Sequence, residues 1–300
     1  MNQNAELVHF RVEELTQYTN NFANQLGQSG GFGSTFCGMI PESNPHNLPV
    51  HYVAVKRSHF KSTEEVLQYE AEKLYLGMLH HPNVVLLIGF SESQHNLFLV
   101  YELLEGETLK AAIPRLTWLE TVEILKGLAS GLAYMHHFPI IHGDLKPENV
   151  VLTAEGVPKL IDFGCANKDN GACRGMSIGY MPFESLSCGI SMPYNDIYAL
   201  GVITIQLITK RANVIGPDYK HVSTIAEEEY KESGHVLHQT LITSGCNQLE
   251  AKRITKLALS LTAIGSHHPT AEEVRNKLCF LREKRVTKWI RKTVEFIRRR

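Results

Sequence analysis

The sequence has few cysteines, and no two of them have the spacing of a known cysteine motif. Six cysteines are spread over 300 residues without a Cys-x-x-Cys pair, which argues against a disulfide framework and against a zinc cluster. The longest apolar stretch, Ile197 to Thr209, contains Gln206 and is too short to span a bilayer. Residues 1–10 are polar and lack the apolar segment of a secretory signal. These absences predict reduced thiols and a cytoplasmic protein.

The chain as a whole also lacks an excess of charge of one sign. Thirty Lys and Arg residues oppose 31 Asp and Glu residues, for a formal net charge of −1, which argues against nucleic acid as a partner. The exception is segment 282–300, where nine basic and two acidic residues give +7 and leave −8 for the first 281 residues. With 43% hydrophobic and 20% charged residues, the composition predicts a globular protein of one large or two modest domains.

The pattern of apolar residues divides the chain into two parts. The first part, up to about residue 101, predicts a hairpin from Gln25 to Gly38, strands at His51 to Lys56, Val84 to Phe90 and Leu97 to Tyr101, and one substantially buried helix from Thr63 to Leu79, capped by Thr63. The second part predicts helices at Trp118 to His137, Asp196 to Thr209 and Leu249 to Ala263, with short strands at Val150 to Leu152 and Lys159 to Ile161. This order indicates an α+β fold with a small β-rich lobe followed by a larger helical lobe.

Five groups of residues follow one another at spacings that suit the binding and transfer of phosphate. They are the glycine-rich segment 28–33, Lys56 at the end of a strand, Glu72 in the following helix, the segment 142–149 (His-Gly-Asp-Leu-Lys-Pro-Glu-Asn) and the segment 162–164 (Asp-Phe-Gly). Glycines let backbone N–H groups approach phosphate oxygens closely, and a glutamate in the helix can hold the lysine by an ion pair. Each group alone is a weak signal, because glycine-rich hairpins, surface lysines and turn aspartates are common.

Phosphoryl transfer needs a base for the attacking hydroxyl, metal-binding oxygens and a cationic phosphate clamp. Asp144 and Lys146 lie two residues apart on a loop, so a carboxylate and an ammonium group can converge there. Asn149 and Asp162 supply oxygen ligands, which suit Mg²⁺ rather than Zn²⁺. The occurrence of all these parts in this order favours a phosphotransferase.

The same residues resemble those of the protein kinases, and the resemblance covers nearly the whole chain. It implies a two-lobed fold that binds ATP in the cleft. It implies that Lys56 contacts the phosphates of ATP and that Glu72 positions this lysine. It also implies that Asp144 is the catalytic base and that Lys146 steadies the γ-phosphate.

The resemblance further implies a set of cofactor-binding residues. Asn149 and Asp162 would hold Mg²⁺. The residues expected around ATP are Gly30, Gly31, Gly33, Ala54, Lys56, Tyr101 and Leu104, with Tyr101 at the back of the pocket and Leu104 offering its backbone to adenine.

The subfamily is indicated by two further patterns. The segment 144–149 (Asp-Leu-Lys-Pro-Glu-Asn) is typical of serine/threonine kinases. The segments 10–22 and 99–102 (Leu-Val-Tyr-Glu) resemble the Pelle, interleukin-1-receptor-associated and plant receptor-like kinases. This resemblance implies protein substrates and a receptor or adaptor complex as partner, in signal transduction. We expect residues 1–22 to be too short for a death domain or a receptor segment.

One departure from the family concerns regulation. Gly143 stands where most members carry an arginine, and that arginine docks a phosphorylated activation loop through charge-assisted hydrogen bonds. Between Gly164 and Phe183 the only hydroxyl side chains are those of Ser177 and Tyr180, at positions that bind the peptide substrate or the catalytic loop. The hypothesis is that activity does not depend on activation-loop phosphorylation.

Other departures leave two rival functions open. Gln28 occupies the place of the first glycine of the loop, and residues 181–184 read Met-Pro-Phe-Glu where the family has Ala-Pro-Glu. These changes would suit a pseudokinase that acts as a scaffold. The segment 142–145 (His-Gly-Asp-Leu) also resembles the catalytic loop of small-molecule phosphotransferases. The complete set of chemical residues argues against the first rival, and Lys146 with the Asp196 helix argues against the second.

The basic C-terminal segment has a pattern of its own. In segment 282–300, apolar residues recur at three- and four-residue steps on a basic helix. Such a helix suits an anionic membrane surface or a calmodulin-like partner, and it equally suits packing against the larger lobe. The expected organisation is an N-terminal extension at 1–22, an N-lobe at 23–101, a hinge at 102–106, a C-lobe at 107–281 and the tail at 282–300.

Overall fold

The computed structural model describes residues 6–30, 33–59, 62–168, 171–172, 177–216, 218–263, 265 and 268–279. Gly31 and the predicted basic tail at 282–300 lie outside the described residues. Within the described part, strands predominate up to Glu102 and helices predominate after it. The predicted α+β fold with two unequal lobes is therefore confirmed.

The N-terminal lobe is built around one sheet. Its elements are β1 (Val8–His9), α1 (Val12–Tyr18), β2 (Gln25–Gly30), β3 (Gly33–Ile40), β4 (His51–His59), α2 (Thr63–Leu76), β5 (Leu87–Glu92) and β6 (Asn96–Glu102). The strand order is β1-β5-β6-β4-β3-β2, with β1 parallel to β5 and the other pairs antiparallel. The prediction of a single helix in this region is wrong. Helix α1 spans seven residues, about two turns, which is too short for a helical period to show in the sequence.

The two faces of this sheet serve different purposes because side chains alternate along a strand. On β4, Val53 and Val55 are fully buried and pack with Phe10 in the cluster that α1 covers. Ala54 and Lys56 occupy the alternate positions of the strand. Burial of the valines beneath α1 therefore fixes Lys56 on the opposite face, where α2 lies.

Helix α2 begins at Thr63 as predicted, but it ends at Leu76 instead of Leu79, and its capping residue and its burial differ from the prediction. Its N-cap is Ser62 rather than Thr63, because the Ser62 hydroxyl accepts the Glu65 amide at 3.2 Å and the Glu65 carboxylate accepts the Ser62 amide at 3.1 Å. The helix is buried on one face only, since Leu67 and Leu74 are 39% and 56% exposed.

The C-terminal lobe is mainly helical. Its strands are β7 (Gly106–Thr108), β8 (Ile140–Ile141), β9 (Val150–Thr153), β10 (Pro158–Leu160) and β11 (Asn167–Lys168). Its helices are α3 (Leu109–Ala112), α4 (Trp118–His137), α5 (Phe183–Cys188), α6 (Pro193–Thr209), α7 (Val222–Ser233), α8 (Gln239–Thr243), α9 (Gln248–Thr262) and α10 (Ala271–Leu278). The three predicted long helices are present as α4, α6 and α9. Helix α6 starts three residues before its predicted start, because Pro193 at its first position has the backbone angle that a helix start needs.

Helix α6 lies at the centre of this lobe and packs against α4, α7 and α9, while α10 packs on α4. One hydrophobic cluster runs from the α2 side of the sheet through these helices, so the two lobes share a core. Among the described residues, no helix combines the length and the apolar character needed to cross a bilayer.

Candidate active site

The first half of the site is an ion-pair cluster between the lobes. The Lys56 Nζ atom on β4 lies 2.7 Å from Glu72 Oε2 on α2 and 3.1 Å from Asp162 Oδ1, two residues after β10. Two carboxylates against one ammonium group give the cluster a formal charge of −1, and the Asp162 side chain is 36% exposed whereas that of Glu72 is 3% exposed. The cluster therefore joins the sheet, α2 and the C-terminal lobe through one ammonium group.

The electrostatics of this cluster favour its ionised form. Burial acts to lower the pKa of Lys56, but the charges of Asp162 and Glu72 outweigh it and hold that pKa above its usual value. The same lysine charge lowers the pKa of the Asp162 carboxyl against the opposing effect of burial. Lys56 thus remains a cation at neutral pH, and Asp162 remains an anion.

Asp162 has an unusual backbone conformation that the surrounding contacts support. Its φ is +62°, in the left-handed region that most side chains avoid. On one side, the Ile161 amide donates to the Asn149 carbonyl at 3.0 Å. On the other, the Phe163 ring is fully buried and its amide donates to Glu72 Oε1 at 3.4 Å. These contacts direct the Asp162 carboxylate toward Lys56.

The second half of the site is the loop around Asp144. The Lys146 ammonium lies 2.6 Å from Asp144 Oδ2, and the Asn149 side-chain nitrogen donates to Asp144 Oδ2 at 3.0 Å and to its carbonyl at 2.8 Å. The Ser177 hydroxyl donates to Asp144 Oδ1 at 2.6 Å and accepts from Lys146 Nζ at 2.8 Å. Asp144 is thereby held by cationic and neutral donors, with a hydroxyl group already against one of its oxygens.

A buried carboxylate, that of Asp196, holds the start of the loop around Asp144. Asp196, on the first turn of α6 and 1% exposed, accepts the His142 amide at 2.9 Å and the Gly143 amide at 3.1 Å, and lies 2.9 Å from His136 Nε2. Burial acts to raise the pKa of Asp196, but the hydrogen bonds from His136 and from the His142 backbone outweigh it and lower that pKa. An ionised Asp196 therefore fixes the backbone just before Asp144.

Gly143 is required by the backbone geometry of this loop. Its φ is +79°, and a Cβ atom placed there would lie 2.6 Å from the Cys165 carbonyl oxygen. A side chain at this position would thus meet both an unfavourable backbone angle and a backbone atom that follows Phe163 and Gly164. Cys165 itself has its pKa raised to about 12 by burial, which makes it an unreactive thiol at neutral pH.

The residues predicted around adenine lie along the end of the sheet. Ala54 and Tyr101 are directly paired across β4 and β6, and Leu104 lies in the connection between β6 and β7. Tyr101 is buried, and burial together with the nearby Glu72 charge holds the pKa of its hydroxyl well above the usual value. The pairing brings Ala54 and Tyr101 to one position on the cleft side of the sheet.

The glycine-rich hairpin is described only in part. Gly30 and Gly33 pair across the turn between β2 and β3, and Gly31 lies outside the described residues. Gly33 has a φ of +120°, and a Cβ there would lie 2.3 Å from the Arg57 carbonyl oxygen. Close approach of β3 to β4 thus accounts for Gly33 independently of any ligand.

Two contacts in the site are not predicted from the sequence. The sequence indicates only that Ser177 is a hydroxyl near the catalytic loop, because its contacts with Asp144 and Lys146 depend on a fold that brings distant segments together. The pairing of His136 with Asp196 joins residues 60 positions apart, and one of two adjacent histidines carries no sign of it in the sequence. The chemical fact that Asp196 would need a partner was the available signal.

The donor set fits a magnesium ion that shares its ligands with a phosphate group. Among the described residues, no group of three or more His, Cys, Asp and Glu side chains could hold a metal unaided. Asn149 and Asp162 offer amide and carboxylate oxygens, and Mg²⁺ commonly takes one or two protein oxygens and completes its shell with water and substrate phosphates. The residues present therefore suit Mg²⁺ bound together with a nucleotide.

The comparison with protein families assigns the chain to a class. Residues 21–287 match the protein kinase domain. The chain belongs to the protein kinase domain family.

The relatives found by sequence comparison include plant serine/threonine kinases and plant receptor kinases. A probable serine/threonine-protein kinase of Arabidopsis thaliana, PBL20, is 34% identical over 249 residues, which cover 77% of this chain and 62% of that protein. Chitin elicitor receptor kinase 1 of Physcomitrium patens is 35% identical over 69% of this chain and 33% of its own length. A putative proline-rich receptor-like protein kinase of Arabidopsis thaliana, PERK11, is 34% identical over 69% and 30%. The chain thus spans less than two thirds of these relatives, and what it shares with them is the kinase domain.

Proposed function

We propose that this chain transfers the γ-phosphoryl group of ATP to serine or threonine hydroxyls of proteins. The observation that carries the proposal is the convergence of Asp144, Lys146 and Asn149 on one point, with a hydroxyl of the chain's own Ser177 donating to the Asp144 carboxylate at 2.6 Å. A substrate hydroxyl in the same orientation would present its proton to the proposed base.

The proposed roles follow from the charges and distances. Asp144 accepts the proton of the attacking hydroxyl, and Lys146 balances the charge on the transferred group. Lys56, fixed by Glu72, contacts the phosphates. Gly30, Gly31, Gly33, Ala54, Tyr101 and Leu104 surround the nucleotide. Asn149 and Asp162 would hold Mg²⁺, which when bound neutralises charge on the phosphates.

We further propose that activity does not require phosphorylation of the activation segment. In most kinases an added phosphate orders this segment by pairing with an arginine. Here glycine occupies that position at residue 143, with no space for a side chain. Ser177, one of two hydroxyl residues in the segment, already bonds Asp144 and Lys146. Both observations support an activation segment whose described residues take their positions without an added phosphate.

The division into an extension (1–22), an N-lobe (23–101), a hinge (102–106), a C-lobe (107–281) and a tail (282–300) is likewise a proposal. Burial of Phe10, Leu15 and Tyr18 against the sheet supports the first boundary. The end of β6 at Glu102 and the start of β7 at Gly106 support the hinge. We propose a receptor or adaptor complex as the setting, and the support for it is that two relatives are named as receptor or receptor-like kinases.

The test is transfer of radiolabelled phosphate from Mg-ATP to a generic basic protein. We expect label on serine or threonine, and a loss of at least about 100-fold in the Asp144→Asn variant. Treatment with a phosphatase, followed by its removal, should leave the rate unchanged. Absence of label despite nucleotide binding would contradict the transferase proposal, and a rate lost only after phosphatase treatment would contradict the second proposal alone.

A further inference from the structure

An acidic groove lies on the C-terminal lobe, apart from the site described above. It has a volume of about 420 Å³ and is bounded by the first turns of α4, by β7 and by the hairpin that joins β9 to β10. None of its lining residues belongs to the Lys56 or Asp144 clusters. The groove is therefore a candidate for binding something other than the nucleotide.

The groove combines an apolar floor with an anionic rim. Its floor includes Leu116, Ile124 and Leu152, which are buried. Its charged lining residues are Glu107, Glu120, Glu123, Glu155 and Arg115. Four carboxylates against one guanidinium group give a formal balance of −3. The groove is thus suited to a ligand that carries apolar groups and several positive charges.

Local contacts reduce this negative charge but do not cancel it. Arg115 is in an ion pair with Glu107, and Lys126, outside the lining, lies 3.4 Å from Glu123, so the four carboxylates and these two cations sum to −2. The Glu120 carboxylate accepts the Thr117 amide at 2.8 Å and the Thr117 hydroxyl at 2.7 Å, and the bond from the amide is the main reason that the pKa of Glu120 is lowered. Glu120 therefore stays ionised at neutral pH.

The chain itself supplies a segment with the complementary chemistry. Segment 282–300 carries nine Lys and Arg residues against two Glu, a net charge of +7. Its apolar residues Val286, Trp289, Ile290, Val294 and Ile297 recur at three- and four-residue steps. A helix with this pattern has one apolar stripe flanked by cations, and so matches both the floor and the rim of the groove.

The chain between α10 and the apolar residues of segment 282–300 is long enough to reach the groove. The described chain ends at Cys279, directly after α10, and α10 packs on α4, the helix that forms one wall of the groove. Helix α4 has 20 residues and is about 30 Å long. Residues 280–288 can extend about 30 Å, the full length of α4, so Lys288 and the residues after it can reach the groove without disturbing α10.

A second groove also offers an apolar surface to segment 282–300, but it lacks the negative charge. It lies along α2, has a volume of about 630 Å³, and includes the exposed Leu74 and Met78. Its charged lining residues are Glu70 and Lys73, which are paired at 3.1 Å and sum to zero. A segment of charge +7 therefore gains more from the groove on α4.

We propose that segment 282–300 binds within the same molecule to the acidic groove between α4 and the β9–β10 hairpin. The apolar stripe packs on the floor and the basic residues face the four glutamates. Bound in this way, the segment is withheld from membranes and from other proteins, and a partner that binds it must first displace it from the groove.

The first test is carbodiimide cross-linking of the full chain, which joins a lysine to a carboxylate in contact with it. We expect links from Lys288 or Lys292 to Glu123 or Glu155. An equal mixture of ¹⁴N and ¹⁵N protein should give links within molecules only. Links to Glu70 or Glu92, links only between molecules, or no links from the segment would overturn the proposal.

The second test follows the environment of Trp289 by acrylamide quenching, with the Trp289→Phe variant supplying the contribution of Trp118, the only other tryptophan. The variant Glu123→Lys/Glu155→Lys should raise quenching of Trp289 severalfold. Adding Lys288→Glu/Lys292→Glu to it should restore the original value. The control Glu227→Lys/Glu232→Lys, on the exposed side of α7, changes the charge equally and should leave quenching as it was. Equal quenching in all variants, or equal effects of the control pair, would contradict docking in this groove.

Discussion

The ion-pair cluster of the candidate active site and residues 178–191 are neighbouring regions held by different kinds of interaction. The cluster is held by ion pairs that Lys56 forms with Glu72 and Asp162, and Lys146 with Asp144. The neighbouring segment is held by neutral bonds: His221 to the Gly179 carbonyl at 2.8 Å, Tyr180 to Gln206 at 3.0 Å and Ser185 to Asn195 at 2.7 Å. Charge is thus concentrated where an anionic phosphate group would arrive.

The contrast bears on regulation. Under the proposal that activity needs no phosphorylation, neutral bonds take the place of the phosphate–cation contacts that order this segment in other kinases. The end of the segment follows the same rule. Glu184 is exposed and has no ion-pair partner among the described residues, and the His268 ring stacks on Tyr194 with centroids 3.4 Å apart. The comparison therefore predicts large effects from changes of charge in the cluster and smaller ones outside it.

The largest effect is expected from removal of the cation that joins the lobes. Lys56→Met leaves the buried Glu72 without its partner, which we expect to lower the free energy of unfolding by about 3 kcal/mol. It also removes the proposed phosphate contact, so the rate of phosphoryl transfer should fall at least about 100-fold. Urea unfolding and the radiolabel assay measure the two effects separately.

The control for Lys56 is another lysine paired with two carboxylates, but with exposed partners. Lys73 lies 3.1 Å from Glu70 and 2.8 Å from Glu92, whose side chains are 52% and 43% exposed against 3% for Glu72. Lys73→Met should cost no more than about 1 kcal/mol, because exposed ion pairs contribute little, and it should retain activity. Equal losses in the two variants would mean that burial of Glu72 does not distinguish the cluster.

The next largest effect is expected at the boundary between the two regions. Gly143→Ala introduces a Cβ 2.6 Å from the Cys165 carbonyl at a φ of +79°, and we expect a loss of about 3 kcal/mol from backbone strain and overpacking together. Gly156→Ala is a matched control, since its φ is +78° with nothing within 4 Å of the new Cβ. It should cost about 1 kcal/mol. Similar thermal shifts for both variants would show that the contact with Cys165 is unimportant.

A smaller effect is expected at Ser177, where the two regions meet directly. Ser177→Ala removes a donor to Asp144 Oδ1 and an acceptor for Lys146. Loss of these two hydrogen bonds to charged groups should lower kcat at least about tenfold, whereas Ser177→Thr keeps the hydroxyl and should stay near the original rate. A fall in the threonine variant equal to that in the alanine variant would assign the effect to packing instead.

The sequence predicted the architecture well where its signals were long or strongly spaced. Helix α4 has the predicted bounds because Thr117 caps it and apolar residues recur along its whole length. The short helices α1, α3 and α5 escaped prediction because one or two turns do not establish a period. The cap of α2 was misplaced by one residue, since Ser62 and Thr63 are both good caps and only the reciprocal bonds with Glu65 decide between them.

For the site, the spacing of motifs predicted which side chains converge, and their chemical roles stay predictions. Lys56 and Asp162 are 106 residues apart and meet at 3.1 Å, which follows from the resemblance and not from any local pattern. The strain at Asp162 and the closed space above Gly143 were beyond prediction, because both arise from backbone packing between distant segments. The acidic groove could not be predicted from the sequence either, because its glutamates come from three separate elements.

The smallest expected effect concerns a half-buried charge outside the cluster, where no carboxylate of the described residues pairs with it. Lys210 ends α6 with a φ of +59° and donates to the Leu116 carbonyl at 2.5 Å, and burial lowers its pKa from 10.5 to about 8. Because the folded state binds this proton less tightly than the unfolded state, the penalty is complete below pH 8 and disappears as the pH rises from 8 toward 10.5. Lys210→Gly should therefore raise the free energy of unfolding at pH 7, by less than about 1 kcal/mol because the lysine is half exposed and has a hydrogen bond to lose.

The variant Lys210→Met separates the two causes of that gain. It removes the charge but keeps the strained backbone angle, so its gain should vanish by about pH 10, whereas the glycine variant should keep the part due to the backbone. Urea unfolding at pH 7 and at about pH 10 measures both variants. A gain that does not change with pH in either variant would show that Lys210 is solvated as an ordinary surface lysine, and the cluster at Lys56 would then lose its contrast with an unpaired charge elsewhere in the lobe.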